Sequence, residues 1–329
     1  MSGSTPVRYR VRRLGTVLVT GAGGYVGGRL VRSLQAEGRI VRAIVRDPAP
    51  WLEVEQVMCD LSAIDRATLA AHCVGVDAVV HLAGENEVVA GRAPAAAVSS
   101  TVTASIRVAE AARDAGVARL VYLSTVHVYG ERMAPGVTVT EDMRPEPRSA
   151  YAVSRLASEH VSAGLSGVYE LVILRLSNSV GAPRHPSVDR WSLVANDLAR
   201  QGALEGRLAL RTAGVQWRDF VALDDVCGAI AAAARTDGSG LAAGTYNLAS
   251  GAPRTVLDLA HLVQDAFEER TGRRPPLDAP APPPEAQRDA PYRVCVQRLA
   301  DGGVNPDVER VRNAVAETVA FCLDHRGTL

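Results

Sequence analysis

The chain has 329 residues, 47% hydrophobic but only 4% aromatic, enough for a large core built mainly from Ala, Val and Leu. Its 36 basic residues balance 36 acidic ones, so bulk charge points to no nucleic-acid partner. No apolar run reaches membrane-spanning length, no signal-peptide segment is visible, and the five scattered cysteines lack metal spacing. We therefore expect a cytoplasmic protein with reduced thiols, no metal and no membrane partner.

Residues 1–14, with Arg8, Arg10, Arg12 and Arg13, read as a flexible extension. Thr16–Thr20 is a β-branched strand that runs into a glycine turn, Gly21, Gly24 and Gly27 at three-residue spacing. A helix pattern follows, with Val26, Leu30, Val31 and Leu34 on one face and Gly38 as the stop. Any glycine-rich turn can show this spacing. Strand–turn–helix placement makes it a site where a pyrophosphate meets a helix N-terminus.

Further strands are expected at Ile40–Val45, Asp77–Leu82, Leu120–Ser124 and Leu171–Leu176, with helices at about Ser62–His72, Pro94–Ala115 and Ser149–Ala163 between them. Ser62 with Asp65 reads as a capping box, and Gly116 as a helix stop. This alternation implies α/β architecture, a doubly wound parallel sheet covered on both faces. After Arg175 the chain breaks into shorter pieces. A helix at about Asp224–Arg235 and a strand near Thr245–Ala249 return to the main sheet; helices at Thr255–Thr271 and about Asp307–Asp324 follow. Pro275–Pro284 holds six prolines in ten residues and reads as an ordered wall or a semi-rigid connector. The expected division is 15–178, with 217–250 returning, for the cofactor domain, and 179–216 with 251–329 for a smaller C-terminal α/β substrate lobe.

Three separated segments supply a catalytic set. Thr125 follows the strand Leu120–Ser124, and Tyr151 and Arg155 lie four residues apart on one helical face. A phenol titrates near pH 10, so acid–base work at neutral pH needs that value lowered by about 3 units. A fixed cation such as Arg155 pushes that way, and Thr125 can bond the same substrate oxygen.

With these motifs in order, the chain resembles the extended short-chain dehydrogenase/reductase superfamily, in its nucleotide-sugar epimerase/dehydratase/reductase branch. Thr20-Gly21-x-x-Gly24-x-x-Gly27 matches the cofactor turn, including Tyr25 and Val26, and Asp60-Leu61 matches the pair at the adenine. His81-Leu82-Ala83-Gly84 matches the strand-end segment by the cofactor ribose, and Ser124 falls on a cofactor-binding position. Thr125, Tyr151 and Arg155 fall on the Ser/Thr, Tyr and Lys positions. Asn178, Arg218 and Arg288 fall on positions that meet the sugar nucleotide. The resemblance implies a Rossmann-type fold, NAD or NADP as cofactor, a nucleotide-sugar as small-molecule substrate, and a homodimer through the two long helices. In those helices Ala95, Ala96, Ala97, Ala104, Ala109 and Ala112 suit either a partner or the chain's own sheet.

Three positions depart from the pattern. Arg155 replaces Lys, keeping the charge but as a broad planar fork. The acidic residue expected on the adenosine ribose falls on Val45, and Arg46 follows it; an Arg there pairs with a 2′-phosphate and tips the expectation toward NADP, unless Asp47 takes the ribose. Val126-His127 stands where 4,6-dehydratases carry Asp-Glu, so that elimination is not expected; His127 is either an acid–base group near the sugar or a packed residue. Glu85, with Asn86 and Glu87, either lines the substrate pocket or forms a solvated loop. Thr101 stands where the superfamily often has Asn. The expected function is an epimerase or 4-ketoreductase acting on a nucleotide-sugar. The alternatives are an NADPH-dependent reductase of a non-nucleotide ketone, or a cofactor-binding protein with little activity because of Arg155.

Overall fold

A computed structural model describes residues 15–284 and 289–329; the N-terminal extension and Arg288 lie outside them. The chain order begins β1 (Thr16–Thr20), α1 (Tyr25–Ala36), β2 (Ile40–Val45), β3 (Glu55–Met58), α2 (Arg66–Cys73), β4 (Ala78–His81), α3 (Glu87–Arg92), α4 (Pro94–Asp114) and β5 (Arg119–Thr125). A 3-10 turn (Val126–Arg132) leads to β6 (Thr138–Val139), α5 (Ala150–Gly164), β7 (Glu170–Leu176), β8 (Asn178–Val180), α6 (Val194–Glu205), β9 (Leu208–Ala209) and β10 (Trp217–Ala222). Then come α7 (Leu223–Ala233), β11 (Gly244–Leu248), β12 (Pro253–Thr255), α8 (Val256–Thr271), β13 (Leu277–Asp278), β14 (Arg293–Val294), α9 (Gln297–Asp301) and α10 (Arg310–Asp324).

Seven strands form one parallel sheet in the order β11-β7-β5-β4-β1-β2-β3. Every residue of β4 and β5 is buried, which their near-continuous apolar runs require of a sheet covered on both faces. One face packs α1 and α7 through Leu30, Leu34, Val226 and Ile230. The other packs α2 and α4 through Leu69, Val108, Ala109 and Ala112. Strand order reverses between β1 and β4, and ligands of such sheets lie beyond the carboxyl ends of the strands at that point. A separate core joins α6, α8 and α10 to β8 and β10, around Leu198, Phe220, Leu259 and Val315.

Two helix starts differ from the sequence expectation. α2 begins at Arg66, with Asp65 accepting from Thr68 N–H as its cap. Ser62 is occupied elsewhere: its N–H and hydroxyl both bond Asp60 Oδ1. α10 begins at Arg310 because Asp307 is held outside it, its N–H on Asp225 Oδ2. The proline-rich stretch contributes β13, paired with β9. Ala97, Ala104, Ala109 and Ala112 are buried within the chain, whereas Ala95 and Ala96 are exposed. Among the described residues, no helix is long and apolar enough to cross a membrane.

Candidate active site

The turn after β1 is shaped by absent side chains. Gly21 has φ +68°, and a Cβ on Gly27 would lie 2.2 Å from the Gly21 carbonyl oxygen. Helix α1 starts on Gly24 with no side-chain cap, leaving the N–H groups of its first turn free of any side-chain partner. Tyr25 is placed otherwise than a cofactor contact would need. Its phenol is buried and donates to the Gly181 carbonyl at 2.6 Å, so only its backbone faces the turn; Val26 is half-buried. At the end of β2, Arg46 is 73% exposed, 3.6 Å from Asp47 and 3.7 Å from Glu85. Asp60 is exposed, its carboxyl held below the ordinary range by the Ser62 hydrogen bonds, while Leu61 is buried in the α2–α4 core.

Beyond β4, Leu82 and Ala83 are half-buried and Gly84 is exposed. The Glu85 peptide is clamped from two helices: its N–H donates to Thr101 Oγ1 of α4 at 3.1 Å, and its carbonyl accepts from Arg155 Nη2 of α5 at 3.2 Å. The Arg155 fork lies so close that a Cβ on Gly84 would sit 2.8 Å from Nη1. Arg155 is 7% exposed, its Cζ is 5.3 Å from the Tyr151 ring centroid, and its Nε has no partner among the described residues. The chain contains no lysine at all, so Arg155 follows the composition of the whole molecule rather than marking one altered position.

Thr125 ends β5 with its side chain buried and its Oγ1 accepting from His127 N–H at 3.2 Å. Ser124, expected beside the cofactor, turns inward and donates its hydroxyl to Glu159 of α5, so only its backbone remains for such a contact. The reason is strand alternation, which sends neighbouring side chains to opposite faces. His127 is exposed, with its ring 6.4 Å from the Tyr151 ring at an interplanar angle of 65°. The dense surroundings lower its pKa below 6.5, Arg218 lowers it further and Glu87 opposes.

Asn178 and Arg218 come from neighbouring strands, β8 and β10. Asn178 Nδ2 donates to the Asp219 carbonyl at 2.9 Å, and Arg218 Nη1 to the Trp217 carbonyl at 2.7 Å. The Asp219 carboxylate is fully buried, accepts from Ser250 and Gly251 N–H, and is pushed up to about 6 by burial. Residues 181–193 then strap across the carboxyl ends of the strands. Arg190 pairs with Glu87 at 2.8 Å, and His185 stacks on Trp51 at 5.5 Å.

Two buried networks escaped the sequence reading. Thr20 Oγ1 meets His81 Nδ1 at 2.7 Å, His81 Nε2 meets Ser105 Oγ at 3.0 Å, and Ser105 joins the Ser158 hydroxyl. A ring proton on Nε2 lets Ser105 bond onward to the Thr101 carbonyl. Burial lowers His81 to about 3, so it stays neutral. Beneath Thr125, Glu159 takes the Arg175 fork at 2.7 Å, and Arg175 reaches Tyr129 and thence Asn247. Only a polar residue inside an apolar run, such as Arg175 in Leu-Val-Ile-Leu-Arg-Leu, hinted at this.

The glycine turn after β1, the packing of Arg155 on Tyr151 and the neighbouring strands that carry Asn178 and Arg218 stand in an α/β fold with one large parallel sheet. The chain matches the NAD dependent epimerase/dehydratase family over residues 17–249, and it belongs to that family, within the extended short-chain dehydrogenase/reductase superfamily. It is 34% identical over 278 residues to dTDP-6-deoxy-L-talose 4-dehydrogenase (NAD(P)(+)) of Kitasatospora kifunensis, covering 81% of this chain and 82% of the relative. It is 31% identical over 195 residues to GDP-6-deoxy-D-mannose reductase of Pseudomonas aeruginosa, covering 57% of this chain and 62% of that one. Among solved structures, MoeE5 in complex with UDP-glucose and NAD superposes with a TM-score of 0.75 at 26% identity, over 95% of this chain and 99% of MoeE5.

Proposed function

We propose that the chain modifies nucleotide-linked sugars as an NAD(P)-dependent epimerase or 4-ketoreductase. The observation that carries this is the Arg155 fork, packed by Tyr151 and closed on the Glu85 carbonyl. The residues fit a dinucleotide: a Cβ on Gly21 would meet the Ala83 backbone and one on Gly27 the Gly21 carbonyl, so the turn keeps its backbone bare, the α1 N-terminus has no side-chain cap, and Arg155 Nε is a buried donor without a partner among the described residues. When bound, the nicotinamide takes or supplies a hydride at a sugar carbon.

Tyr151 exchanges a proton with the sugar hydroxyl or ketone oxygen, and Thr125 orients that oxygen. Arg155 holds the ribose side and favours the phenolate. Arg218, together with Arg288 on the strength of the resemblance alone, holds the nucleotide diphosphate, Asn178 contacts the sugar nucleotide, and this remote binding orients the reacting carbon. MoeE5, solved with UDP-glucose and NAD, supports the substrate class. Arg46, exposed and held only by contacts beyond 3.5 Å, is free to turn to a 2′-phosphate, which favours NADP(H). A homodimer through α4 and α5 belongs to the same reading; Val153, 43% exposed on α5, is apolar surface left for it.

The test is mass spectrometry of the nucleotide released on denaturation, followed by titration of the stripped protein with NAD(H), NADP(H) and UDP-glucose. Retained NAD points to an epimerase cycle, and NADPH preference to a reductase. Binding of neither dinucleotide overturns the reading. Tyr151→Phe is expected to lower kcat by about 10²–10⁴-fold with cofactor affinity unchanged. Arg155→Lys would install the only ε-amine in the chain, so its effect on turnover and its titration are both directly readable.

A further inference from the structure

We propose that Glu85 sets the choice between the two dinucleotides. Its carboxylate holds Arg46 across the mouth of the glycine turn, and only the 2′-phosphate of NADP has to displace it. This rests on the dinucleotide part of the reading above and deepens it, moving the Glu85 side chain from the expected substrate pocket to the adenosine end of the cleft.

The sheet places the pair. β1 lies between β2 and β4, with Thr20 in register with Ile44 on one side and His81 on the other. Those two outer strands are two spacings, about 10 Å, apart. Arg46 directly follows β2, and Glu85 follows the end of β4. Both stand beyond the carboxyl ends of their strands, where ligands of such sheets lie. The glycine turn fills the ground between them: a Cβ on Gly21 would lie 2.9 Å from Ala83 N, and one on Gly23 would touch Val45 and Ala49. Arg46 Nη1 reaches Glu85 Oε1 at 3.7 Å and so joins the two banks of that turn.

Glu85 is the fixed partner. Its N–H donates to Thr101 Oγ1 and its carbonyl accepts from Arg155 Nη2, so its backbone is held on both sides. Arg46 is the movable partner. It is mostly exposed, and its contacts with Glu85 at 3.7 Å and Asp47 at 3.6 Å are both longer than hydrogen bonds. Asp60 adds a third carboxylate within electrostatic range, held low by the Ser62 hydrogen bonds with Arg46 contributing.

The two cofactors meet this arrangement differently. A ribose 2′-hydroxyl is neutral and can donate to a carboxylate while Arg46 stays where it is. A 2′-phosphate gains the Arg46 fork as a bidentate partner. It does so only by breaking the pair and standing beside Glu85 and Asp47, and like charges brought together oppose binding. Glu85 therefore holds NADP affinity down and leaves NAD affinity nearly unchanged.

The experiment is titration of the stripped protein with NAD and with NADP, read as the ratio of the two dissociation constants. Wild type, Glu85→Gln, Arg46→Ala and the double variant are compared. Glu85→Gln is expected to strengthen NADP binding relative to NAD by about 5-fold or more. In the Arg46→Ala background the same change is expected to move the ratio by less than about 2-fold, because the cation it releases is gone. Equal shifts in the two backgrounds overturn the holding of Arg46. An unchanged ratio in Glu85→Gln overturns the proposal and leaves the dinucleotide reading standing; a purely structural role gives that result, since it weakens both cofactors alike. Binding of neither dinucleotide by wild type overturns both.

Discussion

The two sides of the cleft are built on different principles. On the side proposed for the cofactor the groups that shape the turn are backbone: Gly21, Gly24 and Gly27 and the first turn of α1, all within seven residues of one another. On the side proposed for the substrate they are side chains from distant segments. Asp219 of β10 is tied to Ser250 and Gly251, its carbonyl takes Ser177 and Asn178, and Trp217 reaches Asp289. A local backbone device needs only small residues in the right order. A distributed side-chain device needs the whole fold, and it holds buried groups whose charge is controlled by that fold.

The sharpest contrast is the opposite sign of two buried titrations. His81, beside the cofactor turn, is lowered from 6.5 to about 3 by burial, with Arg155 contributing. The unfolded chain therefore takes up its proton first, and stability falls as pH drops below 6.5, by about 5 kcal/mol at pH 3. Asp219, on the substrate side, is raised from 3.8 to about 6 by burial. Its folded form binds the proton first, so stability falls as pH rises from about 4 to 6, by about 3 kcal/mol. In wild type the two nearly offset between pH 4 and 6. His81→Gln is expected to reverse the slope there, making the protein more stable at pH 4.5 than at pH 6 relative to wild type. Urea denaturation at both pH values checks this, and parallel profiles would sink it.

A break at the seam between the two sides should come next in size. Glu159→Gln leaves the buried Arg175 charge uncompensated and loosens Ser124, the residue before Thr125. The expected loss is about 3 kcal/mol, read as a lower urea midpoint at unchanged slope. On the cofactor side, Gly27→Ala drives a methyl against the Gly21 carbonyl and Ala22. Its expected stability loss is about 1–3 kcal/mol, with dinucleotide affinity falling further than nucleotide-sugar affinity; equal losses would contradict the division. The smallest effect belongs to the strap. Arg190→Ala removes the partly exposed pair with Glu87. It should change stability by less than about 1 kcal/mol yet speed cofactor exchange, measured by stopped-flow fluorescence.

Legibility followed the same divide. β1 and β2 coincide with the strands expected from periodicity, and the parallel sheet follows from the alternation of elements. Thr125, Tyr151 and Arg155 could be put forward because each sits in a short motif, and the four-residue spacing of the last two is met by Arg155 packing on the Tyr151 ring. The clamp of Glu85 by Thr101 and Arg155 could not, since its partners are 16 and 70 residues away. Nor could the inward turn of Ser124 or the capture of Tyr25 by Gly181, 156 residues on. Ser62 misled because a side chain that caps helices also bonds a preceding Asp.

By itself, the sequence determined what depends on neighbours along the chain: strand and helix identity, the glycine cradle, and the four-residue pairing of Tyr151 with Arg155. These follow from steric limits and helical periodicity, which act over a few residues. Only the tertiary structure decided which polar groups are buried together, how His81 and Asp219 are charged, and that His127 faces Tyr151. Those outcomes depend on desolvation and on distances across the cleft, and neither exists until β5, α5 and β10 are assembled around it.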